Sequence, residues 1–252
     1  MSSIESLYIL WKREVKRYLR EKSQVFSSLF LSIVWLIIFG TGIGSMKFGP
    51  ASAGEYSAFL FPGIIGMLIL ITSLRAGVSV IRDRDFGFLR VLVVSPVSTT
   101  TLVLGKGLGD GTVAMSQGVM ILILSFIVDV PLYLDSLILS IPIMLLISAG
   151  LVALGIVIAS FMHSFEGFNI IMSLLFMPMF FLSGALFPIK ILPGWLKNLT
   201  YINPLTYGVD ALREIILKTS NFPLLTNVVI LVIFDVLMIA LAVKTFGRKS
   251  IY

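Results

Sequence analysis

Long apolar runs alternate with short charged segments along this chain, and the expected elements follow from that rhythm. Six runs approach or exceed the ~20 residues that cross a ~30 Å hydrocarbon core as a helix. They are about Phe26–Met46, Tyr56–Val80, Leu108–Val128, Leu137–Phe161, Phe168–Phe187 and Leu224–Phe246. Barrel strands would instead run about 10 residues with strict alternation, a pattern missing here. The expected fold is an all-α integral membrane protein with six transmembrane helices, one membrane domain spanning residues 1–252. Ahead of the first run, in residues 1–24, Ile4, Leu7, Tyr8, Trp11, Val15, Tyr18 and Leu19 recur at three- and four-residue steps. Lys12, Arg13, Lys16, Arg17, Arg20 and Lys22 fill the other face. A basic face bordered by Trp and Tyr suits an amphipathic helix lying in the headgroup plane. The alternative is a solvated helix packed on a soluble partner.

Two intervening segments do not span. Residues 81–106 are too charged, since each ion at mid-helix costs about 2.5–3.5 kcal/mol. Residues 188–223 are broken at Pro193-Gly194 and Asn203-Pro204, because proline disfavours helix in the residue before it. The short apolar-edged pieces after each break read as interfacial or re-entrant helices on the outer side, with Trp and Tyr at headgroup depth.

Composition narrows the class. Hydrophobic residues make up 58% and charged residues only 13% of 252 positions, where a soluble domain carries roughly a quarter charged residues. Cysteine is absent and His163 is the single histidine, which excludes disulfides and Cys- or His-rich metal sites. The net charge of +6 is not a nucleic-acid signal here, because in a membrane protein the placement of Lys and Arg matters more than their sum. Thirteen of the 19 lie in the two terminal segments and residues 81–106, against five on the other side. That excess puts both termini and the 81–106 loop in the cytoplasm. The first apolar run follows a long charged segment without a cleavage pattern, so it is expected to stay in the membrane.

The central loop has its own logic. Arg82-Asp83-Arg84-Asp85 alternates charge, Gly87 permits a close approach, and Leu89, Leu92 and Val93 form an apolar edge at helical spacing. Ser95-Pro96 stops that helix, and Ser98 is placed to cap the next one. Such a segment fits either a groove in a cytosolic partner or the membrane interface alone. Two charges lie within spans. Asp235, deep in the last, reads either as a proton or substrate group or as a structural polar contact. Arg75 either snorkels to the inner interface or contacts substrate. Gly40-Thr-Gly-Ile-Gly-Ser45 ends a span and lacks the strand–helix unit and Lys of a nucleotide loop, so no catalysis is expected.

Two blocks resemble the type-2 permease subunits of ATP-binding-cassette transporters (the ABC-2 type), of the drug-resistance and nodulation-exporter kind. One is Phe61-Pro62-Gly63, Asp85-Phe86-Gly87, Val94-Ser95-Pro96-Val97-Ser98 and Gly105-Lys106. The other is Phe181-Leu182-Ser183-Gly184, Phe187-Pro188, Leu192-Pro193-Gly194-Trp195, Asn203-Pro204-Leu205-Thr206-Tyr207 and Ala211-Leu212-Arg213. The order and spacing match over nearly the whole chain. Asp85 stands where the family usually has Glu, Phe88 where it has Thr, and Arg90 where it has an acidic residue. The resemblance implies an exporter permease of a prokaryotic plasma membrane, for an amphiphilic drug, lipid or glycan. It also implies a second permease copy, forming a homodimer or pseudo-dimer, and two ATPase subunits that bind the ATP and Mg, with no cofactor on this chain. Asp85, Gly87, Leu89, Arg90, Leu92, Ser95 and Pro96 would form the coupling helix. Spans 2 and 5 would border the substrate path, making Ser73, Arg75, Ser173 and Phe180 its candidates. Close helix approach is expected at Gly63, Gly66, Ser73 and Gly77. The other reading is an ion- or proton-coupled transporter using Asp235 or Arg75.

Overall fold

The computed structural model describes residues 3–45, 53–86, 98–125, 130, 133–162 and 164–249. Helices α1 (Ser3–Arg20) and α2 (Lys22–Ser45) are followed by α3 (Ala53–Leu74) and α4 (Ala76–Asp85). Then come α5 (Thr99–Ile123), α6 (Leu134–Phe161), α7 (Phe165–Phe181), a 3-10 turn (Ile189–Ile191), α8 (Gly194–Ile202), α9 (Pro204–Leu217) and α10 (Leu224–Lys249). A helix therefore lies at each of the six expected apolar runs. Three stretches are long and apolar enough to cross a membrane by themselves: Tyr56–Asp85, Leu134–Phe161 and Leu224–Phe246. Counting α1 and α2 as one span, bent by 72°, makes four.

Helix α3 is the centre of the molecule. Leu60, Phe61, Ile64, Ile65 and Met67 to Leu70 are all buried, so it is apolar around its whole circumference. Helices α2, α5, α6 and α9 surround it. Apolar side chains gain little by leaving lipid for protein, so close packing and polar contacts must hold such helices together. The glycines supply the first. A β-carbon at Gly63 would stand 2.8 Å from the Ala185 backbone, and one at Gly66 2.7 Å from Val209. Gly77 leaves room for the buried Phe168 ring. These close approaches all lie within one chain.

Several boundaries differ from the sequence expectation. The N-terminal helix breaks at Glu21, so residues 1–24 are not one element. Helix α5 begins at Thr99, nine residues before the apolar run, where Ser98 Oγ accepts from Thr101 N at 3.1 Å as its capping position predicts. Helix α7 stops at Phe181 rather than Phe187. Pro178 lies in its last turn, and the chain then bends through Gly184 at φ +73°, a conformation that favours glycine. The carbonyls at this helix end need partners, and distant residues supply them: Asn203 Nδ2 donates to Met179 O at 2.6 Å, and Thr206 Oγ1 to Leu182 O at 3.3 Å. Within residues 188–223, α9 does not rest on the surface. It is buried from Leu205 to Arg213 and again at Ile215 and Ile216, against α3, α6 and α10.

Candidate functional site

Tyr56–Asp85 is nearly continuous helix of 30 residues. At 1.5 Å per residue it measures about 45 Å, which exceeds a ~30 Å hydrocarbon core by roughly ten residues. The overhang belongs at its charged end, Arg75 to Asp85, which leads into the central loop. There α1, α4 and α5 meet. Helix α1 lies alongside α5 in the same direction, with Leu10 against Gly105 and Glu14 against Gly109. A β-carbon at Gly109 would stand 2.6 Å from Glu14 Cβ, so glycine is what lets the two backbones approach. Trp11 Nε1 donates to Thr112 Oγ1 at 3.1 Å. The headgroup-plane reading of α1 thus gains a partner in its own chain. Its other face leaves Ile4, Tyr8 and Leu19 exposed.

A network of ion pairs fastens this junction. Arg13 donates to Asp83 Oδ1 at 2.6 Å, and Lys106 Nζ to Asp83 Oδ2 at 2.8 Å and Glu14 Oε1 at 3.2 Å. Arg17 reaches Glu14 at 2.9 Å and Asp110 at 3.9 Å. Glu14 and Lys106 are buried, at 3% and 8% exposure, so these charges depend on one another rather than on water. Asp83 is the link that matters most, because it joins α4 to both α1 and α5 two residues before Asp85. This network joins residues far apart in the chain and is not legible in the local sequence. Its one local signal is Glu14, an acid set within a basic face.

Of the coupling candidates, Asp85 is exposed at the end of α4. Gly87, Leu89, Arg90, Leu92, Ser95 and Pro96 lie outside the described residues, as does His163. The four path candidates do not come together. Ser73 is fully buried. Phe180, at 1% exposure, sits within a cluster with Trp35, Phe176 and Phe181. Arg75 is exposed between α3 and α4 and lines a cavity of about 310 Å³ with Arg17, Arg82, Thr72 and Asn169. Ser173 lies on the exposed face of α7, one turn beyond Asn169, whose carbonyl its hydroxyl caps at 2.9 Å.

Asp235 belongs to the buried stripe Asn227, Leu231, Asp235 and Ala242 of α10. It lies against Gly150 of α6, which has no room for a β-carbon there. It does not line the cavity that holds Arg75.

At the opposite end, two charges are buried in α9 that the sequence analysis did not single out as a pair. Asp210 accepts from the backbone N–H of Asn221 (2.9 Å) and Phe222 (3.0 Å) and from the amides of Asn221 (2.8 Å) and Asn227 (3.1 Å). Arg213 donates to Gly184 O at 3.0 Å, and its guanidinium lies 4.0 Å from the centre of the Phe59 ring. Burial draws the Arg213 pKa down to about 10 while Asp210 opposes the shift, so it stays charged at neutral pH. Together they fix the α9–α10 turn and the Gly184 turn over the end of α3.

Apolar helices long enough to cross a bilayer, close-packed through glycine around a buried central helix, define a multi-pass membrane protein. The ABC-2 type transporter family model matches residues 5–217, and the chain belongs to that family. Three relatives illustrate it. The putative transport permease ycf38 of Cyanophora paradoxa is 27% identical over 99% of this chain and 91% of its own. The inner membrane transport permease YadH of Escherichia coli is 26% identical over 92% of this chain and 90% of its own. The probable multidrug ABC transporter permease YbhR, also of Escherichia coli, is 31% identical over 69% of this chain and 47% of its own. The chain is accordingly a membrane component of a transporter and not its catalytic subunit, and the family implies an ABC ATPase as partner.

Proposed function

We propose that this chain is the permease half of an ATP-driven exporter, carrying an amphiphilic drug, lipid or glycan-type substrate outward with energy from ATP hydrolysed on a separate subunit. The observation that carries the proposal is the ion-paired junction of α1, α4 and α5. A segment pushed by a partner at Asp85 to Pro96 would need a rigid attachment to the membrane helices, and Asp83 supplies one at its near end. ATP binding closes the partner subunits and tilts this segment. The junction passes the tilt to α4, and through its continuity with α3 to the centre of the bundle. The Lys and Arg excess supports cytoplasmic termini, the six apolar runs support six crossings, and the family resemblance implies a prokaryotic plasma membrane.

A second copy completes the path. Helix α7 packs lightly, chiefly on α3 and α4, and exposes Ile170, Leu174, Met177 and Phe181 together with the polar Asn169 and Ser173. Polar groups on a lipid-facing stripe are unfavourable, whereas facing a second copy across a substrate path they have a use. Asp235, held against Gly150, fits a structural contact better than a proton-coupling group.

The test is co-purification with the cognate ATPase subunit, with Gly87→Trp and Leu92→Glu introduced separately. Loss of complex formation and transport in both is expected. Survival of both properties would show that this segment does not couple.

A further inference from the structure

The cavity at the inner end of α3 and α4 is balanced in charge. The acids Glu14, Glu21 and Asp110 share its wall with the arginines Arg17, Arg75 and Arg82. An ion of either sign would meet as many like charges there as opposite ones. What the wall lacks is hydrogen bonds. Arg17 pairs with Glu14 at 2.9 Å, but Glu21, Arg75 and Arg82 form no ion pair among the described residues. Asp110 is buried, and its Oδ2 accepts no hydrogen bond among those residues. Arg17 stands 3.9 Å from its Oδ1, beyond hydrogen-bond reach. A buried acceptor left in this way is costly. Spare donors thus come from α4 and its first residue's neighbour Arg75, and spare acceptors from α5 and the break between α1 and α2.

We propose that this cavity binds the neutral, polyhydroxylated headgroup of an amphiphile in the inner leaflet, a sugar ring rather than an ion. A hydroxyl donates through its hydrogen and accepts through its oxygen, so one ring serves carboxylates and guanidinium groups together and brings in no net charge. Each such bond has a charged partner and is stronger for it. Asn169 of α7 adds an amide that both donates and accepts, and the exposed Phe165 adds apolar surface for the C–H side of the ring. The volume of about 310 Å³ stands at the small end for a ligand site, which suits a headgroup whose acyl chains remain in the bilayer. The proposal rests on the permease reading in placing this end of the bundle at the inner membrane surface, and it selects the glycan-type substrate among those that reading allows.

Native mass spectrometry of the purified full chain in a sugar-free detergent tests it, offering glucosyl-diacylglycerol, phosphatidylglycerol and phosphatidylethanolamine with the same acyl chains. Preferential retention of the glucosyl lipid is expected, falling at least about tenfold in an Arg75→Met/Asn169→Ala double variant, which removes a charged donor and an amide from the wall. Both residues are exposed, so the variant should fold; an unchanged melting temperature checks that. Arg20→Gln, on an exposed face of α1 outside the cavity, should leave retention unaltered. Octyl glucoside should displace the glucosyl lipid, and an octyl ethoxylate without a sugar should not. Equal or better retention of either phospholipid, an unaffected double variant, an equal loss in Arg20→Gln, or displacement by both octyl compounds or by neither would each overturn the site. Complex formation with the ATPase does not involve Arg75 or Asn169, so the coupling assignment is judged separately.

Discussion

Lys106 stands between two carboxylates of different helices, and removing it measures how firmly α4 is tied to α1 and α5. At 2.8 Å from Asp83, the gross attraction at an effective dielectric of ~20 is about 6 kcal/mol. Desolvation offsets much of that, and breaking one side of a fully buried pair costs about 3–5 kcal/mol. Here the side chains keep 10% and 14% of their exposure. Asp83 also retains Arg13, and Glu14 retains Arg17. The expected cost of Lys106→Met is therefore about 2 kcal/mol, smaller than for an isolated buried pair. For a chain of this size that lowers the melting temperature by roughly 4–8 °C. Thermal unfolding of Lys106→Met, Asp83→Asn and the double variant in one detergent gives a thermodynamic cycle. The double variant should be less destabilised than the sum of the single ones by about 1–2 kcal/mol, well outside the ~0.5 kcal/mol scatter of independent sites. Additivity within that scatter would mean the two groups do not act together and the junction is not held by charge.

Three further outcomes follow from the geometry. Gly109→Val should push α1 off α5, because its β-carbon meets Glu14 at 2.6 Å; a loss of about 1–3 kcal/mol with a shift in Trp11 fluorescence is expected, and unchanged fluorescence counts against the crossing. Asp210→Ala leaves two backbone N–H groups and two amides without their acceptor, at about 1–3 kcal/mol for each buried group left unpaired. Faster proteolysis between Lys218 and Pro223 is its readout, and a wild-type cleavage rate would remove Asp210 from that role. Asp235→Asn should leave ATP-driven transport intact; transport that is lost with this change yet persists after ATP depletion would favour ion coupling instead.

Apolar run length made the helices legible, since a backbone crossing hydrocarbon has few alternatives to helix. The end of α7 was not, because Asn203 and Thr206 cap it from more than 20 residues away. Apolar spacing continues to Phe187, but those caps and Gly184 stop the helix at Phe181. The junction was hidden for the same reason: Glu14 and Lys106 meet across 92 positions, and a window along the sequence sees only a basic helix and a polar loop. The surroundings of Phe180 were not legible because an aromatic residue reads alike on a path or in a core; its edge-to-face contact with Trp35 spans more than 140 positions. Arg75 was legible as an unusual charge, but its place in one cavity wall with Arg82 required the helix to continue almost unbroken through residue 75.

The central claim is that residues 85–96 touch an ATPase, and the absence of cysteine from the chain makes a direct measurement simple. A single Leu92→Cys, treated with a short thiol-to-amine cross-linker in membranes that also contain the cognate ATPase subunit, should give one cross-linked band of permease plus ATPase whose yield changes with ATP. No such band, while Leu225→Cys on exposed α10 is equally silent and the reagent labels Leu92→Cys freely, would contradict the claim.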